Sequence, residues 1–186
     1  MRTFIAIELS DPVREALMQA QSHLRYAGAD VKWVEKQNIH LTLKFLGDIS
    51  DEKAAQVCAA LDAIGRTTKS FELTIKDIGT FPSIDFPKII WVGLDKGATE
   101  STALAGQIEA AMAILGFQEE TRPFAAHLTI GRVRSGKNKE VLKEKVGSYQ
   151  LAAINPQRVQ SIILFKSTLT PSGPIYSKLH ETNFPS

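Results

Sequence analysis

The tetrapeptide His40-Leu41-Thr42-Leu43 recurs as His127-Leu128-Thr129-Ile130, 87 positions further on (127 less 40). The chain has only four histidines, and this repeat holds two of them. Each copy lies in an apolar, β-branched run that reads as a strand. Side chains alternate along a strand, so His40 and Thr42 share one face while Leu41 and Leu43 take the other, and the second copy repeats the arrangement. The aliphatic face packs under helices and the His/Thr face stays open. Two such strands facing each other set two imidazoles and two hydroxyls around one small volume. Imidazole exchanges a proton near neutral pH, with an unperturbed pKa of about 6.5. A pair of them can act as general base and general acid in one turnover, each contributing roughly 10²–10⁴-fold. The threonine hydroxyls can donate to the non-bridging oxygens of an anion. That set suits metal-independent phosphodiester chemistry, in which one histidine activates water and the other protonates the leaving alkoxide.

Other chemistries find less support. A zinc site needs a third ligand, and the remaining histidines, His23 in a helix and His180 in the last strand, read as surface or half-buried side chains. The single Cys58 excludes an intrachain disulfide and a Cys-based zinc knuckle, and reads as a small apolar residue of its helix. Neither a nucleophile-elbow motif nor a glycine-rich phosphate loop is present. No metal and no cofactor is expected.

The elements that must position the repeat are legible from periodicity. Strands are expected at Thr3–Leu9, Val31–Val34, Ile39–Leu46, Phe71–Ile78, Ile89–Leu94, Ala126–Val133, Val159–Leu169 and Ile175–Glu181, the last two joined by a Pro171-Ser172-Gly173-Pro174 turn. Helices are expected after Ser10-Asp11-Pro12, after Ser50, over Thr99–Leu115 and over Lys137–Val146. Phe81–Pro87 reads as a loop. Several strands follow one another directly, which predicts an α+β fold with antiparallel pairing. No linker divides residues 1–186, so the repeat implies one bilobal domain with one motif strand in each lobe.

The 186 residues are 44% hydrophobic and 23% charged, which argues for a packed chain and against disorder. With 22 Lys+Arg against 20 Asp+Glu the net charge is +2, which gives no chain-wide grip on nucleic acid but leaves room for a local basic cleft. No run approaches the roughly 20 apolar residues of a membrane span. The apolar start is too short for a secretory signal, so a monomeric, cytoplasmic protein that meets no membrane is expected.

The paired motifs resemble those of the two-histidine (2H) phosphoesterases, and most closely the RNA 2′,3′-cyclic phosphodiesterase group, also called 2′-5′ RNA ligases. The likeness extends to Arg2-x-Phe4-x-Ala6-Ile7, Trp33-Val34, Asn38 to Gly47, Trp91, Arg132 and Ser167-x-Leu169-x-Pro171-x-Gly173-Pro174-x-Tyr176. It implies a bilobal, pseudo-two-fold fold with antiparallel sheets flanking a central cleft and helices outside. It also implies hydrolysis of a 2′,3′-cyclic phosphate, at an RNA 3′ end or on a nucleoside, to a 2′-phosphate. Carried over, His40 is the acid for the leaving 3′-oxygen, His127 the base for water, Thr42 and Thr129 the holders of the phosphate oxygens, and Arg132 a further cation at the phosphate. The sequence itself does not order the two histidine roles. The group often has proline before the second histidine, where Ala126 stands here.

Strict alternation places Arg132 on the Leu128 face, so a bulge at Gly131 is required to turn it into the cleft. By the same parity Phe45 belongs to the core and Lys44 to the His40 face, as a solvated lysine at the rim. Phe81, Phe86 and Tyr176 lie near loops, where packing is the expectation and stacking on a terminal base the alternative. Reversible 2′-5′ ligation, cleavage of another small cyclic phosphate, and a non-catalytic module that binds nucleotides remain the competing functions.

Overall fold

Phe4, Ile5, Ala6 and Ile7 are all buried, which requires a strand covered on both faces, and β1 (Arg2–Glu8) is such a strand. The computed structural model describes residues 1–185. After β1 come α1 (Asp11–Arg25), β2 (Val31–Trp33), a 3-10 turn (Lys36–Asn38), β3 (His40–Asp48), α2 (Asp51–Gly65), β4 (Phe71–Leu73), β5 (Ile75–Pro82) and β6 (Pro87–Leu94). The chain continues through α3 (Ala98–Ile114), β7 (His127–Val133), α4 (Lys139–Ser148), β8 (Gln157–Val159), β9 (Ser161–Thr170) and β10 (Gly173–Asn183). One antiparallel sheet has the order β10-β9-β1-β3 and a second the order β2-β7-β6-β5, with β4 and β8 forming a small pair. This is the α+β architecture expected, one motif strand in each large sheet, and β3 and β7 pack against one another. Among the described residues no helix is long and apolar enough to cross a membrane.

Two expected strands are divided. The run from Phe71 breaks at Thr74, whose carbonyl accepts from Asp95 N–H and whose hydroxyl accepts from Lys96 N–H, so β4 leaves its neighbour and pairs with β8. The run from Val159 breaks at Gln160, whose carbonyl accepts from Phe184 N–H at 2.7 Å. The expected Phe81–Pro87 loop is shorter, since β5 and β6 pair as far as Pro82 and Pro87.

Both motif strands break their alternation directly after the motif threonine, and β3 does so again at Leu46, which has no partner between Phe45 and Gly47. Along β3, Thr42 faces Ala6 and Lys44 faces Ile5, so Leu43 has no partner; Phe45 then faces Phe4. Because β1 alternates normally, His40, Thr42 and Phe45 fall on one face, while Leu41 and Lys44 fall on the other. Along β7, Thr129 faces Trp91 and Gly131 faces Ile90, which leaves Ile130 as the extra residue. Arg132 then faces Ile89 and joins His127 and Thr129. The required bulge is therefore present, and its counterpart in β3 corrects two expectations. Phe45 is not core but 61% exposed, and Lys44 is not solvated but 3% exposed.

Fully buried Gln21 secures the second bulge: its amide donates to the carbonyls of Val34 and Ile130, each at 2.8 Å. Gly131 is needed there, because a Cβ would lie 2.8 Å from Val31 and 3.1 Å from the Trp33 ring.

Lys44 joins elements of the two motif regions. Its ammonium donates to Glu109 of α3 at 2.7 Å and to the Gln118 carbonyl at 3.1 Å, and the other Glu109 oxygen accepts from Glu120 N–H at 2.8 Å. Burial opposes ionisation of Glu109, but these hydrogen bonds and the Lys44 charge hold its carboxyl below its usual range. The loop that leads to His127 is thereby fastened to β3. Glu109→Ala strands a buried ammonium and is expected to cost about 3–5 kcal/mol, whereas Lys44→Met leaves a carboxylate that can turn to water and costs less. Urea denaturation of the two variants checks the order.

Candidate active site

His40 sits at the start of β3, against an apolar floor that the first sheet builds apart from the main core, from Phe4, Ala6, Ile163 and Phe165 with Tyr176 packed on it. Its ring stacks on Phe4 with centroids 4.7 Å apart, lies 6.1 Å from Phe165 and meets the edge of Tyr176 at 5.3 Å. Burial lowers its pKa from 6.5 to about 4; hydrogen bonding to the Asn38 backbone opposes the shift and the nearby Arg14 charge reinforces it. At neutral pH the free protein holds this imidazole uncharged.

His127 is placed differently. Its Nδ1 lies 2.6 Å from the Ala125 carbonyl. A carbonyl only accepts, so Nδ1 carries the proton and Nε2 is left for the cleft. Phe81 stands edge-on to the ring at 5.2 Å and leans on Trp91 at 5.2 Å. Gly93 is the cross-strand partner of His127, and the Trp91 indole covers Gly79, where a Cβ would meet the ring at 2.2 Å. Each imidazole thus has an aromatic wall, one built by β1 and β10, the other by β5.

Thr42 and Thr129 accompany their histidines on these faces, and neither hydroxyl is engaged by another protein group among the described residues. Arg132 is exposed on the same face as His127. Its charge reaches Tyr176 of the first sheet, where burial raises the phenol pKa and Arg132 and Arg2 pull it down. Five residues singled out by the sequence, His40, Thr42, His127, Thr129 and Arg132, therefore lie on the cleft faces of β3 and β7.

Other groups were misplaced or missed by sequence reasoning. Phe45 belongs on the cleft face, its ring 6.1 Å from Phe4, and borders a cavity of about 320 Å³ that the Phe117–Thr121 loop closes from the other side. Phe4, Phe81 and Tyr176 wall the histidines, and only a register would have placed them there. Phe86 lies away from both, exposed beneath the Lys139 ammonium. His180 is bonded to Asp62 at 2.7 Å, and His23 packs beside Tyr149. Among the described residues no three histidine, cysteine, aspartate or glutamate side chains are grouped as a metal ion would require.

The LigT like Phosphoesterase family model matches this chain twice, over residues 7–91 and 92–176, so each match contains one motif. The chain belongs to the LigT-like, 2H phosphoesterase family. A Methanothermobacter thermautotrophicus protein named RNA 2′,3′-cyclic phosphodiesterase is 34% identical over 179 residues, covering 96% of each chain. An Archaeoglobus fulgidus protein of the same name is 36% identical over 179 residues, covering 96% of this chain and 98% of its own. Among solved structures, a Thermus thermophilus protein superposes with a TM-score of 0.82 at 25% identity, covering 99% of this chain and 98% of its own. Escherichia coli LigT complexed with 3′-AMP shares the fold, with a TM-score of 0.81 at 23% identity, covering 100% of this chain and 98% of its own. With the family established, this chain is a cyclic phosphodiesterase of the duplicated LigT-like fold.

The uneven setting of the two rings gives a direct test. In an NMR pH titration His40 is expected to titrate near pH 4. Tyr176→Ala, which lets water onto the ring, is expected to move it up toward 6.5. A folded-state pKa below the unfolded one also means that protons bind the unfolded chain first, so this group lowers stability as pH falls from about 6.5 to about 4.

Proposed function

We propose that this protein is a metal-independent RNA 2′,3′-cyclic phosphodiesterase that opens a terminal cyclic phosphate to a 2′-phosphomonoester. The observation that carries this reading is that His40 and Thr42 share one face of a strand, and His127, Thr129 and Arg132 one face of the strand packed against it. The names of full-length relatives at 34–36% identity support the same reading. The reading takes residues 1–186 as one bilobal unit acting as a cytoplasmic monomer without metal or cofactor.

In this mechanism Thr42, Thr129 and Arg132 hold the non-bridging oxygens. His127 Nε2 takes a proton from water, whose oxygen attacks phosphorus. The bond from phosphorus to the 3′-oxygen breaks, His40 protonates that oxygen, and the phosphate stays on the 2′-oxygen. Each turnover leaves His127 protonated and His40 neutral, so solvent must reset both. The low pKa of free His40 gives the substrate a part in this: an anionic phosphate beside the ring offsets the desolvation and restores the acid form. Phe45, exposed one step beyond Thr42, offers an aromatic face to the terminal base.

Hydrolysis of a nucleoside 2′,3′-cyclic phosphate is expected to persist in chelator and to give only 2′-phosphate. His40→Ala and His127→Ala are each expected to lose about 10²-fold or more in kcat. Full activity in His40→Ala sinks the mechanism. Because kcat/KM reports the free protein, its pH profile is expected to break near pH 4, while the matching break in kcat lies at higher pH, where bound phosphate has raised the His40 pKa. Phe45→Ala is expected to raise KM about tenfold with kcat little changed.

A further inference from the structure

Lys32 stands directly opposite Arg132 in the β2–β7 pairing, so the two side chains share the cleft face, and both are exposed. Like charges directly opposite one another on neighbouring strands destabilise the pair. Among the described residues neither has a carboxylate within ion-pair distance. From the other sheet comes Arg2. Alternation along β1 puts it on the face of Phe4 and Ala6, one step past the Phe4–Phe45 pair and away from His40. It too is exposed and has no carboxylate within that distance, while Asp48 beside it is approached at 4.0 Å by the N-terminal ammonium. The register sets Arg2 level with Tyr176 across β9, since Thr3 and Ser177 both pair with Lys166, and the charges of Arg2 and Arg132 both reach that phenol.

Lys32 and Arg132 thus stand together on the second sheet and Arg2 beyond Phe45 on the first, an unpaired local excess that the balance of 22 to 20 over the whole chain conceals. One terminal phosphate, held by Thr42, Thr129 and Arg132, leaves Lys32 and Arg2 without a task. The next negative charge on an RNA strand is the phosphodiester on the 5′ side of the terminal nucleotide. Along the first sheet the order is His40 and Thr42, then Phe45, then Arg2. That order matches terminal phosphate, base and preceding phosphate.

We propose that Lys32 and Arg2 form a second phosphate subsite, which takes the phosphodiester immediately upstream of the terminal nucleotide and makes the protein a reader of RNA ends. This rests on the function proposed above. The test compares a mononucleoside with a dinucleotide, each ending in a 2′-phosphate for calorimetric titration and in a 2′,3′-cyclic phosphate for turnover. The wild type is expected to prefer the dinucleotide, with a salt dependence of affinity steeper by about 0.7 in log–log slope for each added phosphate contact. In Lys32→Ala the ratio of dinucleotide to mononucleotide, in affinity and in kcat/KM, is expected to fall about tenfold, and Lys32→Arg restores it. An unchanged ratio in the Lys32→Ala/Arg2→Ala double variant overturns the subsite, as does an equal loss on both ligands. If neither cyclic phosphate is hydrolysed but the affinity ratio still falls, the subsite stands and the catalytic reading is the one that fails.

Discussion

A β-strand counts in twos, and the cleft faces of this protein are set where each motif strand miscounts just after its threonine. Leu43 and Ile130 are buried bulge residues, and what directly follows them is turned over relative to what comes before. Without the bulge in β7, Arg132 would point into the second sheet's packed face. Without the one in β3, the Lys44 ammonium would sit at the cleft rim and Phe45 would be pressed against helices. The same irregularity therefore turns a side chain outward to the cleft face in each copy and, in the first, a structural cation inward. The inward Lys44 ties α3 and the loop before His127 to the strand of His40. Holding such a bulge requires backbone groups to be satisfied off the ladder, which is the task of Gln21 beside Ile130.

The two copies use this shared geometry unequally. His40 is enclosed by Phe4, Phe165 and Tyr176, and that apolar enclosure favours its neutral form. His127 is steered by a backbone carbonyl, with one aromatic edge beside it. In the proposed mechanism the two imidazoles divide the labour of acid and base, which identical surroundings would give no reason to do. Unequal walls supply the difference that near-identical tetrapeptides do not.

The elements with strong periodicity were legible in the sequence, including all four helices and both motif strands, as was the α+β class. The pairing of His40 with Thr42 and of His127 with Thr129 followed from the two-residue period alone. What escaped was wherever a single residue departs from regular structure. Thr74 and Gln160 each divide a run that is apolar on both sides, because each spends its hydrogen bonds outside its own strand. Phe45 and Lys44 were assigned to the wrong faces for want of the bulge at Leu43. The clue was in the repeat itself: His-x-Thr-x-x-Phe and His-x-Thr-x-x-Arg have the same spacing, so the bulge required for Arg132 implied one for Phe45. The aromatic walls of Phe4, Phe81 and Tyr176 come from strands distant in sequence, and only the pairing register reveals them.

The order of strands in the two sheets bears on how the cleft can move. β1 and β3 lie in the first sheet with β2 in the second; β5, β6 and β7 return to the second, and β9 and β10 complete the first. The backbone passes from one sheet to the other four times, like a lace drawn through two edges. A clam-shell opening about one hinge would strain every one of these passages at once. The separation of the two motif strands is therefore tied to four passages of the chain rather than to one hinge.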